Sequence, residues 1–303
     1  MEIVPYGGWL RCARIVSGNI EAIVTLDVGP RIIRLGTIGG RNELHEDPNE
    51  MGKIGGDEYR SYGGHRLWIA PEDKIRTYQP ENESVNHREE NGWFVFAPKP
   101  DRFGIQKEMR IKPVGDGGFH LEHRITNHGK DAIHMSPWTL TVVTTGGTCL
   151  VPLEDFRPFP EQLTPARPLV LWSYTDLTDP RLIFGRRLVH LSQDKRYGPT
   201  KLGMGVKQGY VGYYNPPNLF IKRFSHYENQ TYPDFGCNFE TFTRQDMLEV
   251  EALGPLRDLK AGETATHYEA WKLIANVELS EEENALAASL EAYARDCTVP
   301  QGL

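Results

Sequence analysis

The sequence is poor in cysteine, in excess positive charge and in long apolar runs, and each shortage removes a class of function. Its four cysteines, Cys12, Cys149, Cys237 and Cys297, are far apart and none forms a CxxC pair, so neither a zinc cluster nor a dense disulfide framework is indicated. The formal charge of −7, with 25% charged residues, offers no basic field for nucleic acid. No stretch of about 18 apolar residues occurs, which argues against a membrane partner. The start, Met1-Glu2-Ile3-Val4-Pro5, lacks a positively charged head followed by an apolar run. These features together lead to the expectation of a soluble, cytoplasmic protein. GxSxG and GxGxxG motifs are missing, as is any βαβ alternation, which disfavours serine-hydrolase and nucleotide-binding folds. No sequence feature calls for a cofactor.

What is present is mostly β pattern. Ile20–Leu26 and Arg31–Leu35 read as strand, turn, strand across Asp27-Val28-Gly29-Pro30. Gly92–Phe96, Gly104–Ile111 and Gly118–Ile125 recur at short spacing with alternating apolar residues, and Gly115-Asp116-Gly117-Gly118 supplies the hairpin between the last two. Ala132–Val143 then reads as a strand turning at Gly146-Gly147 into a partner, Thr148–Val151. A proline-rich connection, residues 152–168, has no helical or strand period and is read as covering one edge of the site. Further strands follow around 187–191, 209–214, 218–224, 237–243, 247–251 and 265–274. Helical spacing is convincing only over residues 279–296, where Ser280 is placed as cap with Glu283 closing a capping box, and Leu286, Leu290 and Tyr293 form the apolar stripe. A chain of 303 residues buries roughly three quarters of its unfolded surface, and the expectation is one domain over 1–303 with that helix packed on it.

The densest chemistry is Tyr62-Gly63-Gly64-His65-Arg66-Leu67-Trp68-Ile69-Ala70-Pro71-Glu72-Asp73. In an extended segment His65 and Leu67 point to one face, Arg66 and Trp68 to the other; a bulge beside the glycines would relax that limit. A second cluster lies on the late strands. Alternation there places Asn238 and Glu240 on one face of their strand, and Glu249 and Glu251 on one face of the next, with Lys222 before them and Tyr232-Pro233-Asp234 as an intervening turn. Three carboxylates on strands require a polar surface, either a cleft or a solvated face with cross-strand pairs. His267 and Glu269 share a face, but two ligands make no metal site, and none is assigned. Acid–base chemistry by His and Glu is the class these residues leave standing.

Leu26-Asp27-Val28-Gly29-Pro30-Arg31-Ile32 resembles the opening strands of aldose 1-epimerases, and Tyr62–Trp68 resembles the glycine-pair segment of hexose-phosphate mutarotases. A closer similarity, to an uncharacterised branch of the galactose mutarotase-like superfamily, spans nearly the whole chain. It is carried by Gly63–Trp68, Ser136-Pro137-Trp138, Tyr174–Leu177, Lys222-Arg223-Phe224, Tyr232–Asn238 and Leu248–Glu251. The resemblance implies an all-β supersandwich of two large antiparallel sheets, a sugar or sugar derivative as ligand, and ring opening by a histidine acid and a glutamate base on a late strand. Where those enzymes carry their histidine this chain reads Met135-Ser136-Pro137-Trp138. His65 is therefore the expected acid and Glu251 or Glu240 the base, with Arg66, Trp68, Glu72, Lys222, Asp234, Asn238 and Glu249 binding sugar. Two alternatives are a catalytically silent carbohydrate-binding protein, and a sugar lyase or hydrolase using paired carboxylates.

Overall fold

A computed structural model describes residues 1–300. The chain shuttles between two sheets. It lays down β1 (Glu2–Tyr6), β2 (Trp9–Ser17), β3 (Ile20–Thr25), β4 (Ile32–Thr37) and β5 (His65–Ala70) in the first sheet. The second receives β6 (Asn86–Glu90), β7 (Trp93–Ala97), β8 (Ile105–Gly115) and β9 (Gly118–Asn127). Then β10 (Ile133–Val143) returns to the first, β11 (Thr148–Pro152) crosses to the second and β12 (Leu169–Leu171) edges the first. The second sheet gains β13 (Leu182–Phe184) and β14 (Leu188–Ser192), the first β15 (Thr200–Met204), and the second β16 (Tyr210–Asn215) and β17 (Asn218–Phe224). Finally β18 (Phe239–Arg244), β19 (Met247–Leu253) and β20 (Arg257–Leu259) join the first, β21 (Thr264–Ile274) the second, and α1 (Glu283–Arg295) follows.

All pairings are antiparallel. The first sheet runs β1-β2-β3-β4-β5-β10-β19-β18-β15-β12, with β20 beside the start of β10; the second runs β13-β14-β11-β16-β17-β21-β9-β8-β7-β6. This is the two-sheet, all-β architecture expected. Between the sheets Val24, Leu35, Phe96, Phe119, Phe220, Phe239, Leu248 and Val250 are buried, each contributing roughly 1.5–3 kcal/mol through removal from water.

The β8–β9 hairpin turns at Asp116 (φ 48°) and Gly117 (φ 71°), a left-handed pair that matches strand twist. Two local expectations are corrected. Gly146-Gly147 does not close a hairpin: β10 pairs with β5, β19 and β20, whereas β11 pairs with β14 and β16 in the other sheet, so the turn is a crossover. Pro137 sits inside β10 where the partner changes from β20 to β19, and its carbonyl accepts from Gly254 N at 2.8 Å. A residue with no N–H therefore falls at a gap in the ladder. The helix begins later than its sequence pattern suggests. Glu282 caps it, accepting from the backbone of Asn284 and Ala285, while Glu283 reaches away to the backbone N–H groups of Arg187 and Leu188. Leu286 and Leu290 bury against Leu188, Leu219 and Ile221 of the second sheet, as the stripe requires.

Candidate functional site: a carboxylate cluster on the outer face of the first sheet

Register fixes the site. Arg66, Leu140, Glu251 and Glu240 lie in one row across β5, β10, β19 and β18; Trp68 and Trp138 pair in the row on one side, and Glu249, Phe242 and Lys201 share the row on the other. Period-two alternation turns all of these away from the second sheet. Their neighbours Thr139, Thr141, Val250 and Thr241 turn inward. Trp68, Trp138, Leu140 and Leu253 give the outer cluster an apolar floor, against which Tyr59 and Tyr78 pack.

Lys201 is the hub. Its Nζ lies 2.7 Å from Glu240 Oε2 and 3.2 Å from Glu251 Oε2, and 4.8 Å from the ring centres of both Trp138 and Trp172. Trp138 Nε1 donates to Glu251 Oε2 at 2.8 Å. Gly203 makes room for this arrangement, since a Cβ there would approach the Trp172 ring to 3.2 Å. Arg66 lays its guanidinium 4.2 Å from the Trp68 ring and reaches Glu249 Oε1 at 3.4 Å. Burial, then the neighbouring Glu251 charge, push Glu249 up to about 7. Burial likewise raises Glu240 well above the ordinary carboxyl range, against the pull of Lys201. Burial disfavours the Lys201 charge, yet Glu251 and Glu240 hold its affinity for the proton above normal.

Polar atoms of this cluster remain unpartnered although buried: Arg66 Nε and Nη1, Trp68 Nε1, Tyr59 Oη, Glu240 Oε1 and Glu251 Oε1. Buried polar groups normally find partners, so this concentration marks a place for water or ligand.

The expected site residues divide between the two faces. Glu240, Glu249, Glu251, Arg66 and Trp68 come together. Glu72 stands exposed at the rim, accepting from Tyr78 Oη, and Asp234 lies on the turn close enough to raise Glu240 further. Asn238 is occupied structurally, exchanging hydrogen bonds with the backbone of Val206. His65 and Lys222 are corrections: both are fully buried between the sheets, on the far side of the first sheet from Glu251. Strict alternation holds through β5, with no bulge to swing His65 outward.

The inward network is a separate structure. His65 Nε2 meets His123 Nε2 at 2.8 Å and its Nδ1 meets Thr141 Oγ1 at 2.9 Å. Lys222 Nζ donates to Thr141 Oγ1 at 2.9 Å and Val250 O at 3.1 Å, and pairs with Glu269 Oε1 at 3.1 Å. Burial lowers His65 well below its ordinary range, His123 to about 4 and His267 to about 3. His65, His123 and Glu269 present ligand-type atoms within 4.8 Å of one another. Glu269 is already held by Lys222, Thr139 and Trp271, so a metal ion there would face an ammonium group.

Sequence reasoning missed Lys201, Trp172, Tyr59 and Tyr78. Lys201 had a signal, being the one charged residue in Thr200-Lys201-Leu202-Gly203-Met204. Trp172, just beyond β12, packs on Lys201, after residues 153–168 have carried the chain from one sheet to the other.

No family model matches the sequence, and no curated protein sequence matches it. Solved structures do. A galactose mutarotase-like protein from Lactobacillus casei ATCC 334 is similar at TM-score 0.57 and 10% identity, over 87% of this chain and 100% of that one. A galactose mutarotase related enzyme from Lactobacillus acidophilus gives 0.57 and 7%, over 88% and 98%. A provisional aldose 1-epimerase from Escherichia coli K12 gives 0.54 and 10%, over 87% and 99%. At such identities the likeness is one of fold, and the fold of this chain is the galactose mutarotase-like supersandwich.

Proposed function

We propose that the outer-face cluster binds a sugar and interconverts its anomers, as an aldose 1-epimerase does. The observation that carries this reading is the set of buried, unpartnered donors and acceptors above an aromatic floor, a combination suited to a molecule with hydroxyls on its rim and C–H groups on its faces. Ring opening needs one group to take the proton from the anomeric hydroxyl and another to protonate the ring oxygen as the bond from that oxygen to the anomeric carbon breaks. Glu251, which accepts from Trp138 and contacts Lys201 while leaving Oε1 open, takes the first proton. Glu240, whose hold on its proton burial strengthens, supplies the second. Reversal of both transfers after rotation about the adjacent carbon–carbon bond gives the other anomer. The acid is thus a carboxyl group in place of the histidine.

Polarimetry on fresh α-D-glucose and α-D-galactose tests the reading. Glu251→Gln and Glu240→Gln should each slow mutarotation by about two to four orders of magnitude, with sugar binding retained. No described histidine belongs to the outer cluster, which favours a second reading as a non-catalytic carbohydrate-binding protein. Binding of sugars without mutarotation by the wild type would decide for it. Absence of any sugar binding would overturn both.

A further inference from the structure

Within that sugar site, and resting on the sugar-site reading, the unpartnered atoms are sorted by kind. Around Arg66 they are all donors or hydroxyl: Arg66 Nε and Nη1, Trp68 Nε1 and Tyr59 Oη. Arg66 stacks on Trp68 and Tyr59 packs against the same indole at 5.6 Å between ring centres, so these groups share one end of the cluster. Around Lys201 the unpartnered atoms are acceptors, Glu240 Oε1 and Glu251 Oε1. Arg66 and Glu251 are separated in register only by Leu140 of β10, two strand spacings or about 9.6 Å between backbones, with side chains rising from the same face.

A neutral hydroxyl placed here accepts from one donor but brings a proton of its own, for which this end offers only Tyr59 Oη and the Glu249 carboxyl that Arg66 already engages. A carboxylate brings lone pairs only, and a guanidinium that stays charged is its natural partner. Glu249 reaches Arg66 Nη2 only at 3.4 Å and leaves the guanidinium Nε and Nη1 without partners, so the fork keeps two donors for a further carboxylate. At the other end, hydroxyl groups donate to Glu240 and Glu251. We infer that the ligand is a sugar acid of the hexuronate class, its carboxylate against Arg66, Trp68 and Tyr59 and its anomeric hydroxyl toward Glu251.

The test compares D-glucuronate and D-galacturonate with D-glucose and D-galactose by calorimetric titration against the wild-type protein at neutral pH. The uronates should bind at least about ten-fold more tightly than their neutral counterparts, the effect of a hydrogen bond to a charged group. Arg66→Gln should erase that preference, read as the ratio of uronate to neutral-sugar affinity within the variant; Arg66→Lys, which keeps the charge without the fork, should retain part of it. Neutral sugars binding as tightly as uronates to the wild type, or a preference that survives Arg66→Gln, would overturn the inference and leave the sugar-site reading intact. Failure of all four sugars to bind would instead remove the sugar-site reading beneath it. Because the wild-type comparison alone decides the first point, an unfolded Arg66 variant does not rescue the inference.

Discussion

His65 and Arg66 are consecutive residues of β5 whose side chains leave the first sheet in opposite directions, the imidazole to His123 of the facing sheet at 2.8 Å, the guanidinium to the Trp68 ring at 4.2 Å. Two polar clusters therefore stand back to back across one sheet. They share strands as well as proximity: β10 sends Thr139 and Thr141 inward to Lys222 and Trp138 outward to Glu251, while β19 offers Val250 O to Lys222 and carries Glu249 and Glu251 on its other face. The inner network thus clamps the strands from which the outer residues project, a support that keeps such residues in place.

That clamp has a stability consequence. Lys222 and Glu269 are both fully buried and 3.1 Å apart, so removing either leaves a charge without its partner in the interior. Lys222→Met or Glu269→Gln should each lower the unfolding free energy by about 3–5 kcal/mol, and the double variant should cost less than the two losses added. Denaturant titration of the four proteins measures this; additive losses would mean that the pair is not coupled.

The glycine pair before β5 is required by close backbone approach. Gly64 has φ +64°, and a Cβ there would run into the carbonyl oxygen of Ile32, while one on Gly63 (φ +90°) would meet that of His45. β4 and β5 meet only at Ile32↔His65, so the close approach at Gly64 is what joins them. Gly64→Ala should destabilise by about 1–3 kcal/mol or more, from left-handed strain plus backbone contact, read as a drop in melting temperature.

The alternation of β18 and β19 was enough to gather Glu240, Glu249 and Glu251 on one face, and that of β5 separated His65 from Arg66, because side-chain period in a strand is a local property. Which face looks at the other sheet is not local. His65 and Lys222 read as site residues by their chemistry, and only the pairing of β17 with β21 and the apposition of the sheets show them buried. The same limit hid the Gly146-Gly147 crossover, since a glycine turn between two strands reads alike whether the second strand pairs back or changes sheet. Trp172 and Tyr59 come from irregular segments, where periodicity carries no direction at all.

Glu249 gives the protein a pH dependence of definite sign. Its folded pKa is about 7, whereas an unfolded glutamate titrates near 4.3, so between those values the folded state holds the proton that the unfolded state has released. The stabilisation is complete below the unfolded value and is lost as pH rises through the folded one. Over about pH 5 to pH 7.5 the Glu249 contribution falls while those of the buried His65, His123 and His267 rise, so it is read as a difference: the denaturation midpoint of Glu249→Gln should gain on that of the wild type as pH rises through that range. An identical slope in the variant would assign the dependence to other groups.

Lys201 sets the proton affinity of the outer carboxyls, and its removal separates electrostatics from packing. Its charge lowers both Glu240 and Glu249, against burial and the Glu251 charge. Lys201→Met keeps most of the side-chain volume but deletes the charge, so both carboxyls should hold their protons to higher pH than in the wild type. Trp138 and Trp172, each with a ring centre 4.8 Å from Lys201 Nζ, report the change without any assumption about substrate. A pH titration of tryptophan emission should show its midpoint displaced upward in Lys201→Met and nearly restored in Lys201→Arg. Where mutarotation is measurable, the limb of its pH profile that follows loss of the Glu240 proton should move in the same direction. An emission midpoint that stays in place in Lys201→Met would show that the ammonium group does not control these carboxyls, and with it would go the assignment of Glu240 as an acid tuned by its neighbour.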